Sequence, residues 1–127
     1  MGLDQYLEKR KKNVANAEYE EVAYWRKANQ IREWFLNHIE EMEPDSNCQH
    51  FEVTEDMLEE LIADCKEVLN HKELAGEILP TSNGFFFGST DYNEWYFDEL
   101  KETVTMLTEV ITETDWDTEE VAYYEWW

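Results

Sequence analysis

The chain has 127 residues, 43% hydrophobic and 15% aromatic, with 31 acidic side chains against 10 basic ones and a formal net charge of −21. The length suits one compact domain over residues 1–127, and so aromatic a composition excludes a disordered acidic tail. A field of this sign repels nucleic acid and anionic membranes, so neither is expected as a direct partner.

Residues 2–10, GLDQYLEKR, alternate: Leu3, Gln5 and Leu7 against Asp4, Tyr6 and Glu8. This period predicts a short strand. A polar connection, KRKKNVANAEYE, follows. Residues 18–42 read as the first helix, because Val22, Trp25, Ala28, Ile31 or Arg32, Phe35, Ile39 and Met42 recur at helical spacing. Glu18, Glu20 and Glu21 would sit in its first turn, where the helix dipole favours them. Pro44 lies just past its end, and QHFEV at 49–53 reads as a brief strand. Thr54 is the expected N-cap of the second helix. Leu58, Leu61, Ile62, Cys65, Val68 and Leu69 make that helix's apolar stripe, with Asn70 at its end. ELAGEIL adds a helical turn before Pro80.

Residues 79–95, LPTSNGFFFGSTDYNEW, then place three phenylalanines between Gly84 and Gly88. In an extended segment Phe85 and Phe87 would share one face, with Phe86 on the other. The expectation is that two rings anchor in the core. Phe86 either finds a second apolar surface or lies exposed as part of a binding surface. Asp91 and Glu94 resemble a capping box for the third helix, whose seam is Phe97, Leu100, Val104, Leu107 and Ile111. VAYYEWW closes the chain as a strand, expected to pair with residues 3–8. The fold class is therefore α+β: three helices packed on a small antiparallel sheet that includes the N- and C-terminal strands.

The charge is unevenly spread. Residues 1–33 carry seven cations and six acids, whereas residues 34–127 carry Lys66, Lys72 and Lys101 against 25 acids, a balance of −22. Ordinary solubility needs a net charge of only about 2–8 in a small domain. Carboxylate rows on helices can imitate the phosphates of a nucleic-acid backbone to a partner's Lys/Arg groove. The candidate surface is Glu59, Glu60, Asp64 and Glu67 on the second helix, with Asp98, Glu99 and Glu102 on the third. Phe86 joins them if exposed. A charge run is more often a solvated face; the size of the excess favours the sharper reading.

Other chemistry finds little support. Cys48 and Cys65 make no disulfide framework, which suits a reducing compartment. No stretch approaches the length of a membrane span, and the N-terminus lacks the apolar run of a signal peptide. His38, Cys48, His50, Cys65 and His71 lack the paired spacing of a structural zinc site, and Cys65 sits on an apolar stripe. No EF-hand, phosphate-binding loop or nucleophile motif is present, so the sequence predicts no enzyme, no cofactor and no metal. In YWRKAN (24–29), Arg26 and Lys27 either neutralise nearby acids or form a small polar pocket with Asn29. With Trp95 to stack a base, they are the candidate residues of a ligand site.

MGLDQYLEKRKK, EEVAYWRKANQIREWF and LPTSNGFFFGSTDYNEWYFDELKET together resemble a family of small acidic proteins encoded by phages and prophages, over nearly the whole chain. The Phe-Phe-Phe-Gly-Ser-Thr block carries most of that specificity. The resemblance implies a setting, the cytoplasm of an infected bacterium, and supplies no catalytic residue. Small acidic phage proteins include anti-restriction and anti-CRISPR inhibitors, some of which mimic DNA; the analogy is one of class, not of fold. The expected function is a non-enzymatic protein that binds a basic surface of a host protein, such as the nucleic-acid groove of a defence nuclease. Two alternatives stay open: a nucleotide-binding sponge, and an accessory enzyme using an acid set with Mg²⁺.

Overall fold

The computed structural model describes residues 2–83 and 88–127. The expectations for Phe85, Phe86 and Phe87 lie outside the described residues. The elements run β1 (Asp4–Lys11), β2 (Glu20–Arg26), α1 (Asn29–His38), β3 (His50–Val53), α2 (Glu55–Asn70), a 3₁₀ turn at Lys72–Leu74, α3 (Ala75–Ile78), α4 (Glu94–Glu113) and β4 (Glu119–Trp126). Four strands form one antiparallel sheet in the order β2-β1-β4-β3. The fold is α+β, as expected, with the N- and C-terminal strands paired through Leu7↔Tyr123 and Asp4↔Trp126. Between β1 and β3, the aromatic strand β4 has no free edge, which removes the hazard its composition posed.

Among the described residues there are four helices rather than three, because ELAGEIL closes a single turn of its own, α3. A larger correction concerns residues 18–42. Residues 20–26 are a strand, with Ala23 and Trp25 buried and Tyr24 exposed. Spacings of three among Val22, Trp25 and Ala28 had suggested a helix, but a two-residue period fits the same aromatic and β-branched side chains. Pairing with β1 (Gln5↔Trp25, Leu7↔Ala23) decides between them. Lys27, at φ 57°, turns the chain from strand to helix. Ala28 cannot cap α1 with its side chain; the buried Gln5 amide fixes this residue's backbone, accepting from Ala28 N at 2.8 Å and donating to Ala28 O at 3.0 Å.

Thr54 caps α2 as expected, accepting from Met57 N at 3.1 Å. The cap of α4 is Asn93, which accepts from Tyr96 N, not Asp91. Its buried stripe is Tyr96, Leu100, Thr103, Leu107 and Val110, while Phe97, Val104 and Ile111 are half-buried about 100° round the helix. Thr103 belongs to the stripe because its hydroxyl accepts from Trp25 Nε1 and donates to Glu99 O, both at 2.8 Å.

Candidate functional site: a mixed-charge cavity and an acidic helix face

Asn29, the first residue of α1, is 1% exposed. Its side-chain amide donates to Ser89 O at 2.8 Å and accepts from Ser82 N at 3.0 Å. One side chain thus ties Ser82 and Ser89 to the strand–helix junction. Thr81 reinforces the closure by donating to Thr90 O at 2.9 Å. Gly88 has φ 84°, and a Cβ there would stand 3.0 Å from Lys27 Cβ, so any other residue would be strained.

A cavity of about 500 Å³ opens where these segments meet the first turns of α4. Arg26, Lys27 and Gln30 line one side; Trp95, Asp98, Glu99 and Glu102 line the other. Trp95 is 81% exposed. The structure therefore joins the three acids expected to meet a partner with the three residues expected to meet a ligand. Gly88, Ser89, Asp91, Asn93 and Tyr96 complete the lining; of the whole lining, Gln30, Ser89 and Asn93 are polar residues that the sequence did not single out. Ser89 enters the lining beside Asn29, whose amide donates to its carbonyl, a tertiary contact with no local sequence signal.

Glu99 is half-buried in this cavity and accepts from Gln30 Nε2 across a long 3.4 Å. Burial first, and then the neighbouring Glu102 charge, push its carboxyl from 4.5 up to about 7. The folded state holds this proton more tightly than the unfolded chain. Stability is therefore highest while Glu99 is protonated and falls as pH rises from about 4.5 through about 7. Glu99→Gln should flatten that decline and raise stability at pH 8 by about 1–2 kcal/mol. Urea titrations at pH 5 and pH 8 check this; an equal effect at both pH values contradicts it.

The remaining acids occupy the helix face. Glu59, Glu60, Glu67, Asp98, Glu102 and Glu109 are exposed. Asp64 is half-buried and accepts from Trp34 Nε1 at 2.8 Å. Glu60 Oε1 stands 3.6 Å from His38 Nε2. The expected rows thus divide: Glu60 and Asp64 gather at the C-terminal end of α1, and Asp98, Glu99 and Glu102 gather at the cavity. Four cations instead pair with carboxylates of β4. Lys9 and Lys11 reach Glu119 at 3.7 and 3.8 Å, Arg10 reaches Glu120 at 2.6 Å, and Arg32 reaches Glu125 at 2.8 Å. The helices α2 and α4 each carry six acids and one lysine.

No family model, curated protein or solved structure matches the chain. Cys65 is fully buried and its thiol is pushed up to about 12 by burial, so it stays protonated as a core side chain. No described helix is long and apolar enough to cross a membrane.

Proposed function

We propose that the chain is a phage-encoded, non-catalytic binding protein that engages a basic surface of a host protein in the cytoplasm of the infected cell. The target class is the nucleic-acid groove of a defence nuclease. One observation carries this reading: Lys9, Arg10 and Lys11 of β1 are ion-paired to β4 within the sheet, while α2 and α4 together bear twelve acids and two lysines. A surface so weakly compensated attracts a Lys/Arg groove and repels competing acids.

The structure refines which acids to test. Asp64 and Glu99 are held by Trp34 and Gln30, and Glu60 lies by His38. Glu59, Glu67, Asp98 and Glu102 are exposed and can be reversed with little effect on folding. Reversing all four to lysine should abolish capture of the host protein at about 50 mM salt and leave the melting temperature within a few degrees. Captured by the unaltered chain, that protein should lose DNA binding and be released at about 0.5 M salt. Capture that survives the four reversals overturns the reading.

The cavity favours a second reading, a small anionic ligand with an aromatic ring. Arg26 and Lys27 would meet its negative charge and Trp95 would stack its ring. Calorimetric titration with nucleotides decides this: heat lost on Trp95→Ala supports it, and no heat with any nucleotide removes it.

A further inference from the structure

Three side chains from two helices converge at the end of α1. His38, Glu60 and Asp64 each offer a ligand atom, and the three atoms lie within 4.8 Å of one another. The histidine is already oriented. Its Nδ1 lies 2.7 Å from the Trp34 carbonyl, which can only accept, so Nδ1 carries the proton. In the neutral ring the lone pair is then on Nε2, the atom facing Glu60. At 3.6 Å that approach is too long for a hydrogen bond.

Trp34 organises the rest. It is 3% exposed, its indole stacks on the His38 ring at 3.7 Å, and its Nε1 donates to Asp64 Oδ2 at 2.8 Å. One buried residue thus sets the tautomer and plane of the histidine and holds one carboxylate. Ring N–H donation to a carbonyl and a hydrogen-bonded carboxylate are the outer contacts that metal-ligating groups use.

We propose that His38, Glu60 and Asp64 form a binding site for a divalent transition-metal ion, with zinc the best fit. Imidazole selects against Mg²⁺ and Ca²⁺, and two carboxylates match a dipositive charge. Ligand atoms on one ion at about 2.0–2.2 Å lie no more than about 4.4 Å apart. Glu60, whose side chain is 60% exposed, can close the remaining gap by a rotamer change. Three protein ligands leave a coordination position open to water. The site is independent of the proposed host-protein surface and is tested on the purified chain alone.

Calorimetric titration with ZnCl₂ and with MnCl₂, at about 0.15 M NaCl and with about 1 mM MgCl₂ present, should find one saturable zinc site. His38→Ala and Glu60→Gln should each weaken zinc binding at least about tenfold. Trp34→Phe, which keeps the ring but removes the donor to Asp64, should also weaken it about tenfold, a loss that scattered carboxylate binding would not show. Cys48→Ser tests the exposed thiol and should change nothing. Zinc should raise the melting temperature of the unaltered chain but not of His38→Ala. Zinc binding that is unchanged in His38→Ala, or that disappears in 1 mM MgCl₂, overturns the proposal.

Discussion

Arg32→Met should destabilise the protein by about 3–5 kcal/mol, because it leaves a buried carboxylate without its counter-charge. Arg32 and Glu125 are 3% and 1% exposed, and Arg32 Nε donates to Glu125 Oε2 at 2.8 Å. The same carboxylate accepts from Tyr123 Oη at 2.7 Å and from Trp127 Nε1 at 2.9 Å. Burial, and then the Glu125 charge, raise the Tyr123 phenol well above its ordinary range, so it keeps its proton and donates. Gln5 Nε2 donates to Tyr123 Oη at 3.2 Å, and Arg32 Nη2 donates to Pro44 O at 2.7 Å. The network links β1, α1, β4 and the turn after α1. Removing one member strands the others, whereas Arg32→Met with Glu125→Leu removes both charges and should recover most of the loss. Urea unfolding followed by tryptophan fluorescence measures both; an Arg32→Met loss below about 1 kcal/mol contradicts the assignment.

Phe35→Ala should cost about 3–5 kcal/mol and Phe35→Leu about 1–2 kcal/mol. The ring is fully buried, stacks on Tyr123 with centroids 4.2 Å apart, and meets Trp34 and Trp25 edge-on at 5.4 and 6.2 Å. It is the point where α1 grips the sheet. Helix α1 has ten residues and no side-chain cap of its own, so it depends on this packing more than on propensity. Its far-ultraviolet circular dichroism should therefore weaken in Phe35→Ala even at low denaturant. An intact helical signal with unchanged urea midpoint would show that the alanine site closes without loss.

The two largest discrepancies between sequence and structure have one origin. Residues 20–26 carry apolar groups at spacings compatible with both three and two, and the arbitration comes from β1, a strand that lies about 20 residues away in sequence. The stripe of α4 shifts by one residue because Thr103, polar by composition, satisfies its hydroxyl with Trp25 and Glu99 inside the core. By contrast, Thr54, the Leu58–Val68 stripe and the VAYYEWW strand follow local rules that nothing distant overrode.

Site residues divide in the same way. Glu59, Glu67, Asp98 and Glu102 were identifiable as exposed acids from the polar side of their helices, and they are exposed. Nothing in the spacing of His38 could reveal Glu60 and Asp64 as its neighbours, because the meeting of α1 and α2 is a tertiary contact, made through Trp34–Asp64 and His38–Glu60. The sequence by itself determined the charge excess, the α+β class and the pairing of the chain's two ends, since composition and short-range period carry those. Tertiary structure alone decided that Arg26, Lys27 and Trp95 share a cavity with Asp98, Glu99 and Glu102, and that a histidine faces two carboxylates. These juxtapositions depend on where α1 lies, and α1 is placed by Gln5, Phe35 and Arg32 through long-range contacts that no local pattern encodes.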